Sequence, residues 1–425
     1  MLPLFLLCGL FRPRMAKKAL SLSTWGLVRL PRSTATHPRV LVHGVSVGEI
    51  KASQSLVAAL RDRYEVIVSA FSDTGLQVAR QLYPDLEIVR YPFDFFPLVQ
   101  RFWRRVGPDF VLLMELEAWP CFLRAANRNG APVAVVSGRI TPESFRRYRM
   151  FGQVPEFERI SLFAAQDQAY AARFSALARS SERVVVTGNV KADGLRIEAD
   201  EEEVAALRSL RAAAGEPEFV ILAGSTHEPE ELLFVRAAVA ALEKVGRPAK
   251  LIVVPRHPER SGGVASAIEE EAPAQWGGAL GGRAVGVERL SQLRERGDSG
   301  SQGSILIVDT IGELERLYGL ADIVFIGGSL IPHGGQNMME PAAQGCAVVY
   351  GPHVQNFLNE TAMLEKAGAA RRVGDAAGLQ AAIADLVVDL DLRLRMGDAA
   401  RQAVKGERGA TKATLEALRE RCGLA

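Results

Sequence analysis

Apolar and polar residues along the chain follow two alternating periodicities. Short runs rich in Val, Ile and Leu, for example Arg39–Val45 and Asp109–Met114, have the length and composition of buried strands. The stretches between them carry apolar residues at helical spacing, and Glu49–Arg61 is predicted to be one such helix. Its inner side is predicted to hold Ile50, Ser53, Leu56, Val57 and Leu60. Strands that alternate with helices predict a parallel sheet with helices on both faces.

The strand pattern occurs twice, which predicts two α/β domains. In the first stretch the predicted strands are Arg39–Val45, Glu65–Ala70, Glu87–Tyr91, Asp109–Met114, Pro132–Val136, Leu162–Ala165 and Arg183–Val186. In the second they are Phe219–Ala223, Lys250–Val254, Ser304–Asp309, Asp322–Ile326, Ala347–Tyr350 and Ala370–Val373. The predicted architecture is two doubly wound, Rossmann-like halves facing a central cleft, with ligands at the carboxyl ends of the strands.

Three segments outside the strands define the expected organisation. Glu198–Val204 is acidic and is predicted to link the halves, Gly277–Gly303 is predicted to be a mobile surface insertion, and Ala377–Cys422 is predicted to be helical throughout. The expected domains are therefore an N-terminal segment 1–38, a first domain 39–197 and a second domain 198–425. A chain of 425 residues, 48% of them hydrophobic and 24% charged, excludes a disordered, fibrous or polytopic membrane protein.

The net charge of +2 conceals two halves of opposite sign. Residues 1–197 hold 27 Lys and Arg against 16 Asp and Glu, which is +11, whereas residues 198–425 hold 24 against 33, which is −9. Such asymmetry predicts that one half meets an anionic partner.

The first 48 residues contain seven basic side chains and no acid, and they open with an apolar run, Leu2–Phe11. That run is shorter than the roughly 20 residues needed to span a bilayer, and its charges follow it, unlike those of a signal peptide. The segment is predicted to lie in the lipid headgroup region, held by anionic lipid. A disordered tail, or translation from Met15, is the alternative.

The most informative segment is Asp322–Phe357, where a buried strand runs directly into two glycine pairs and then a helix predicted to start near Asn337. Glycines after a strand permit close backbone approach, and free amide groups before a helix attract phosphate. Glu340 is expected in the first helical turn, where a carboxylate can accept hydrogen bonds from ribose. Alternatively, the glycine pairs only turn the chain. The predicted nucleotide-site residues are Gly327, Gly328, Ser329, Gly334, Gly335, Asn337 and Glu340.

Two other strand ends in the second half carry polar residues. LIVVPRHPER presents Arg256 and His257, and a guanidinium can bind phosphate through two parallel hydrogen bonds; a solvated loop is the alternative. ILAGSTHEPEE places Ser225 and Thr226 before a helix, where they can meet an anion or cap the helix.

In the first half, HGVSVGEI places Ser46 and Gly48 in the turn after a strand and Glu49 at the start of the next helix. An acid in the first helical turn usually complements the helix dipole. At the opening of a doubly wound sheet, however, Glu49 is also a candidate general base. MELEAWP adds Glu115 and Glu117 at another strand end, either to bind substrate hydroxyls or amines or as a helix-start charge pair.

SGRITPESFRRYRMF carries Arg139, Arg146, Arg147 and Arg149, which form either a solvated face or a phosphate-binding surface. The four cysteines are far apart, and no CxxC, HExxH or histidine pair at i, i+4 occurs, so no metal site is predicted. The P-loop and any nucleic-acid-binding module are also missing from the sequence.

Together these segments resemble the 3-deoxy-D-manno-octulosonic acid (Kdo) transferase family of lipopolysaccharide synthesis, over most of the chain from Arg39 to Phe357. The matching segments are HGVSVGE, SDTG, MELEAWP, GNVKAD, AGSTHEPEE, PRHPER, DTIGELERLYGLADIVFIGGSLIPHGGQNMMEPAAQG and GPHVQNF. The resemblance implies a GT-B glycosyltransferase that transfers Kdo from CMP-Kdo to a phosphorylated lipid A precursor (lipid IVA), with inversion and without a protein-bound metal or resident cofactor. It also implies attachment to the cytoplasmic face of the bacterial inner membrane, peripheral or monotopic.

The resemblance implies residue roles as well. Glu49 matches the general base, and Arg256 and His257 match the loop that holds CMP, with the glycine loop, Asn337 and Glu340 completing that site. Positions near the donor sugar or acceptor are matched by Ser46, Gly48, Glu117 and Arg139. The chain departs from the family pattern at Leu116, Ala118, Cys121, Gln336 (commonly His) and the SGRITPES segment.

Two other classes fit parts of the pattern. Another GT-B nucleotide-sugar transferase or epimerase would share the fold and the E-P-x-x-x-G helix, because fold does not determine function. A non-catalytic nucleotide-sugar-binding protein at the membrane surface would need the glycine loop but not Glu49.

Overall fold

The computed structural model describes residues 37–116, 118–150, 154–197, 219–271, 276, 280, 286–296 and 305–424. They form two compact units, each built on a parallel sheet. One unit extends to Gly194 and resumes at Glu407, and the other is Leu195–Gly406. The prediction of two parallel α/β units is therefore confirmed.

The first unit contains a seven-stranded sheet with the strand order β3-β2-β1-β4-β5-β6-β7 among its described residues. Its strands are β1 Arg39–Gly44, β2 Glu65–Ala70, β3 Glu87–Arg90, β4 Phe110–Met114, β5 Val133–Gly138, β6 Leu162–Ala165 and β7 Val184–Val186. Its helices up to Gly194 are α1 Val47–Ala52, α2 Gln54–Leu60, α3 Asp73–Leu82, α4 Phe96–Val106, α5 Pro120–Arg128, α6 Pro142–Met150, α7 Val154–Phe157 and α8 Gln168–Ala178.

Helices cover both faces of this sheet, which explains why its central strands are apolar throughout. Leu41 of β1 joins the core cluster of Phe102 and Phe122. Val40 and Val42 lie in the opposite cluster, with Ile50 and Leu56.

The predicted helix Glu49–Arg61 is two helices, α1 and α2, that meet at Ser53. The Ser53 hydroxyl donates to the carbonyl of Ile50 at 2.8 Å, and such a local bond competes with the regular helical ladder. The five residues predicted on its inner side are all buried, which confirms the predicted inner face. The break between the two helices was not predicted.

The second unit contains a sheet with the order β10-β11-β9-β8-β12-β13-β14. Its strands are β8 Val220–Thr226, β9 Lys250–Pro255, β10 Val287–Arg289, β11 Ile305–Ile307, β12 Ile323–Ile326, β13 Ala347–Tyr350 and β14 Ala370–Arg372. Its α-helices include α9 Glu230–Val245, α10 Ser261–Glu271, α11 Leu290–Glu295, α12 Leu314–Tyr318, α13 Met339–Gln344, α14 Leu358–Lys366, α15 Ala376–Val388 and α16 Leu390–Gly406, and Pro258–Arg260 forms a 3₁₀ turn.

Part of Gly277–Gly303, which was predicted to be a mobile insertion, forms a strand and a helix. Within it, β10 pairs with β11 and α11 follows directly, with Ser291 held by Asp309 through its amide at 2.9 Å. No strand was predicted here, because β10 is short and only partly buried. Most other residues of this segment, like the proposed link Glu198–Val204, lie outside the described residues.

The last helix, α17 Ala410–Cys422, corrects the predicted boundary, because it packs in the first unit and not in the second. Its start is held by Asp193, whose carboxylate accepts from the amide of Gly409 at 2.6 Å. Leu418 joins the core cluster of Val40. The stretch predicted as helical throughout is three helices, and an amphipathic pattern could not indicate which sheet the third one covers.

The predicted membrane-surface segment 1–38 lies almost wholly outside the described residues, so that prediction is not tested. Within the described ranges, none of the helices has the length and apolarity needed to cross a bilayer.

Candidate active and nucleotide-binding sites

The carboxyl ends of β1, β4, β5, β6 and β7 lie along one edge of the first sheet, since the strands are parallel and neighbours in this order. We call this the first carboxyl edge. It brings together residues that follow five different strands, although they are far apart in sequence.

Glu49 lies at this edge, at the start of α1, in a capping box with Ser46. Its Oε1 accepts from the Ser46 hydroxyl at 2.6 Å and from the Ser46 amide at 3.3 Å, and its Oε2 accepts from the Val45 amide at 2.8 Å. The carboxylate therefore takes part in the capping box of its own helix. Its place in the first turn agrees with the simpler interpretation of the sequence, an acid that complements the helix dipole. Since Oε2 accepts only one amide, it keeps a lone pair that a substrate hydroxyl can meet.

The environment of Glu49 also suits proton transfer. The side chain is buried, with 8% of the residue exposed. Burial raises the pKa of Glu49, and the negative charge of Glu115 raises it further, against the lowering by hydrogen bonds from Ser46 and Val45. A carboxylate with a raised pKa is a stronger base at neutral pH.

A polar cluster next to Glu49 was missed as a unit by sequence reasoning. The Lys191 ammonium pairs with Glu115 at 2.6 Å, and the Asn189 side-chain oxygen accepts from the Lys191 amide at 3.1 Å and from the Ser137 hydroxyl at 3.2 Å. Glu115 and Ser137 both have positive φ, which is uncommon for residues other than glycine and frequent at functional sites. The signal was available: GNVKAD and MELEAWP each follow a predicted strand.

The other predicted residues of the first unit are placed as follows. Ser46 and Gly48 are exposed at the edge, while Glu117 lies outside the described residues. Arg139 follows β5 and donates its amide to the Glu115 carbonyl at 3.3 Å. In the described part of the chain, its guanidinium has no ion pair or side-chain hydrogen bond. Helix α6, which carries the other three arginines, buries none of its residues.

In the second unit, β8, β9 and β12 are neighbours, and we call their shared end the second carboxyl edge. The glycine loop, Gly327–Gly335, follows β12 as predicted. Gly327 is required by close packing, because a Cβ there would lie 2.4 Å from the carbonyl oxygen of Ser225. Gly334 has φ +108°, and a side chain would also collide with Asn356.

The expectation that the first amides of this loop are free is wrong. The buried carboxylate of Glu230 accepts from the amides of Gly328 at 2.6 Å, Ser329 at 2.9 Å and Leu330 at 2.9 Å. An internal acid thus takes the place expected for phosphate in this part of the loop. The assignment of the loop to a nucleotide site remains a prediction.

Ser329 is also placed differently from the prediction. It is fully buried, and its hydroxyl donates to the Ile326 carbonyl and accepts from the Gly351 amide at 2.8 Å, so it ties the loop to the neighbouring strand end. Ser225 and Thr226 are part of β8 and do not cap α9, which begins at Glu230. Thr226 is fully buried, so its side chain is inside the unit and not on its surface.

The predicted helix start near Asn337 is close to the observed one. The Asn337 side chain accepts from the Met339 amide at 3.0 Å and donates to Glu340 at 2.9 Å. Glu340 lies in the first turn of α13, as predicted, and both side chains are partly exposed.

Arg256 and His257 follow β9 and are exposed. Two further histidines, which sequence reasoning did not assign, lie beside them: the ring of His227 is 4.0 Å from that of His333 and 5.9 Å from that of His257. Gln336 contacts the His227 ring nitrogen at 3.2 Å. We call these three histidines the histidine cluster. Each follows a different strand, so their spacing in sequence gave no pair.

The histidine cluster and Arg256 offer hydrogen-bond donors to an anion. Burial, together with the neighbouring His333 and His257, lowers the pKa of His227 to about 4. No carboxylate pairs with Arg256 within the described ranges. An anionic ligand would meet this guanidinium and the N–H donors of the imidazole rings. Among the described residues, no group of His, Cys, Asp and Glu is arranged to hold a metal ion.

Comparison with known proteins assigns the chain to a family. Residues 21–194 match the family model described as 3-deoxy-D-manno-octulosonic-acid transferase (kdotransferase). The 3-deoxy-D-manno-octulosonic acid transferase of Bordetella pertussis is 33% identical over 399 residues, which cover 90% of this chain and 87% of that protein. The chain belongs to the Kdo transferase family. The resemblance inferred from the motifs is confirmed.

Solved structures support the fold of this Kdo transferase family member. The HepE protein of Anabaena, solved with UDP and glucose, has a TM-score of 0.57 at 15% identity and covers 91% of this chain and 100% of that one. The UDP-GlcNAc 2-epimerase of Neisseria meningitidis, bound to UDP-GlcNAc, has a TM-score of 0.59 at 13% identity, covering 90% and 100%. These likenesses show the GT-B-like fold, and the predicted fold class is confirmed.

Proposed function

We propose that the protein transfers Kdo from CMP-Kdo to a phosphorylated lipid A precursor, lipid IVA, with inversion. Membership of the Kdo transferase family supports the sugar and the reaction class. The observation that carries the proposal is Glu49: a buried carboxylate with a raised pKa at the first carboxyl edge, with one oxygen able to accept a further hydrogen bond.

In this mechanism Glu49 removes the proton from the attacking acceptor hydroxyl as the new glycosidic bond forms. CMP leaves from the opposite face of the sugar, and its phosphate takes up the electron pair of the broken bond. Arg256 and the ring N–H groups of the histidine cluster stabilise this developing charge, because preorganised hydrogen-bond donors act most strongly where charge develops. The transfer needs no electron carrier, so no resident cofactor enters the proposal.

The carboxylate of Kdo and the phosphates of the acceptor are assigned to the first unit. Kdo carries a carboxylate and the acceptor carries phosphates, and each suits the unpaired guanidinium of Arg139. The excess of basic residues in the first half supports an anionic lipid as the acceptor. Ser46, Gly48 and Glu117 are proposed to lie close to the reacting sugars.

We also propose peripheral or monotopic attachment at the cytoplasmic face of the inner membrane, through the basic and apolar segment 1–38. Deletion of residues 1–14 is expected to move the protein from the membrane pellet to the supernatant after sedimentation. If the truncated protein sediments as before, residues 1–14 are not the attachment.

The function is tested by mass spectrometry of lipid products after incubation with CMP-Kdo and lipid IVA. A mass increase of one or more Kdo residues is expected, and it should require both substrates. Thermal shift with CMP, UDP and UDP-sugars provides the second arm, since a ligand stabilises the state that binds it. Stabilisation by UDP-sugars and not by CMP would contradict the proposed donor.

A further inference from the structure

We propose that Glu230 is a positioning residue of the donor site: it occupies the amides of the glycine loop and so holds His333 and Gln336 against His227. The inference rests on the proposed function for the identity of the donor. It differs from a phosphate-binding role for those amides, because an internal carboxylate already satisfies them.

The contacts of Glu230 are those of a built anion site. Its Oε1 accepts from the Ser329 and Leu330 amides, and its Oε2 accepts from the Gly328 amide and, at 3.1 Å, from the His227 amide. Both oxygens are thus used twice, and Glu230 is completely buried. A phosphate could enter only by displacing a carboxylate held by four hydrogen bonds, which would leave a buried charge unpaired.

The same contacts connect the loop to the histidine cluster. One carboxylate holds the amide of His227, next to β8, and the amide of Gly328, just after β12. A Cβ on Gly328 would lie 3.3 Å from the His333 ring and 3.5 Å from Gln336, so these side chains pack on the backbone that Glu230 fixes. The Gly335 amide then closes the loop on the Gly328 carbonyl at 2.7 Å.

The consequence concerns how the donor phosphate is held. With three loop amides engaged by Glu230, the phosphate depends on side chains at the second carboxyl edge, chiefly Arg256 and the histidine cluster, of which the loop supplies His333. Small displacements of such groups weaken binding strongly. Glu230 therefore acts through other residues and touches no substrate itself.

The experiment compares Glu230→Gln with Asp322→Asn. Asp322 provides a matched control, because its carboxylate accepts the Val220 amide at 2.9 Å at the opposite end of the same sheet. Both variants replace a carboxylate that binds backbone amides, but only one reaches the glycine loop. Calorimetric titration with CMP measures affinity, and NMR titration of the imidazole protons measures the pKa of His227 in each protein.

In Glu230→Gln we expect CMP to bind about tenfold or more weakly, and the pKa of His227 to rise from about 4 towards 6.5 as His333 and Gln336 move away. In Asp322→Asn, CMP affinity should stay within about twofold, since distant sites rarely couple. A folded Glu230→Gln protein with unchanged CMP affinity and unchanged His227 titration would overturn the proposal.

Two further measurements cover a variant that does not fold and a wild-type protein that does not bind CMP. If Glu230→Gln does not fold, Glu230→Asp keeps the charge but shortens its reach, and wild-type CMP affinity and His227 titration in that variant would overturn the proposal. If the wild-type protein fails to bind CMP, the proposed donor is wrong, yet the His227 titration still reports whether Glu230 positions the cluster.

Discussion

Glu49 and Glu230 occupy equivalent places in the two units, yet they are suited to different work. Each is an acid in the first turn of a helix that follows a strand of a parallel sheet, and each accepts backbone amides. Glu49 is bound only by its own turn and remains 8% exposed, whereas Glu230 binds a loop about 100 residues away and is completely buried. The two acids differ in how far along the chain their hydrogen-bond partners lie and in how exposed they are. These differences, not residue type or position, distinguish a candidate base from a residue that positions a loop.

The comparison extends to the surroundings. Among the described residues, the first carboxyl edge holds two carboxylates, one lysine and Arg139. Its buried carboxylate, Glu49, favours proton transfer. The second holds three histidines and an arginine, which favours anion binding. Variants at the two edges should therefore damage different steps, and the following predictions run from the largest expected effect to the smallest.

Glu49→Gln should reduce the turnover number by about 10²–10⁴-fold, since it removes the base but keeps the shape of the side chain. The affinity for CMP, measured by calorimetry, should stay that of the wild type, because the proposed nucleotide site is in the other unit. If the variant retains full activity, Glu49 is only a helix cap and the proposed mechanism is wrong.

Arg256→Gln should have the opposite effect to Glu49→Gln: it should weaken CMP binding. Loss of a charge-assisted pair of hydrogen bonds weakens CMP binding by about 10–100-fold. The KM for the lipid acceptor, measured at saturating donor, should be unchanged. An acceptor KM that rises as much as the CMP dissociation constant would break the assignment of separate roles to the two edges.

Lys191→Met tests the electrostatics of the first edge. Removing the ammonium leaves the charge of Glu115 uncompensated, which should raise the pKa of Glu49 further. The carboxylate form is lost as pH falls through that pKa, so the acid limb of kcat/KM should move to higher pH by up to about one unit. Lys412→Met removes an exposed lysine of the same unit and should leave the limb in place.

A buried histidine of the first unit should make its stability depend on pH. His43, on β1, is fully buried and bonded to Ser69 at 2.8 Å, and burial lowers its pKa to about 3. The unfolded chain binds this proton below about pH 6.5 and the folded chain does not, so stability is lost as pH falls from there towards 3. Between pH 7.5 and 5.5 the loss from this group is about 1.4 kcal/mol.

His43→Gln should remove that part of the loss. Urea unfolding at both pH values measures it, and His37→Gln, at an exposed position, is the control. If His43→Gln loses as much stability on acidification as the control, His43 does not titrate as its burial indicates.

Elements with a local signal were predictable from the sequence. Strands such as Leu162–Ala165 and Ala347–Tyr350 have the predicted bounds, because fully buried strands are continuous apolar runs. Glu49 and Arg256 could be proposed from the sequence because each lies in the turn that follows such a run. Family resemblance then supplied the chemistry.

Features that depend on long-range contacts were not predictable. The bond between Glu230 and Ser329 spans 99 residues, and the pairing of Lys191 with Glu115 spans 76. Nothing local distinguishes free loop amides from engaged ones, so the sequence could not show that Glu230 binds the amides of Gly328 and Ser329. The assignment of these residues to a nucleotide site stays a prediction. Likewise, the sheet that α17 covers depends on Asp193, which lies 216 residues before Gly409.

The return of α17 to the first unit makes the second unit an insertion within it. During synthesis, the ribosome must complete all of Leu195–Gly406 before Leu418 can enter the core of the first unit. The second unit is thus the one whose chain is contiguous and can finish folding first, reversing the usual order in which N-terminal domains fold. A cut after Gly406 would leave the second unit whole and deprive the first of a core helix.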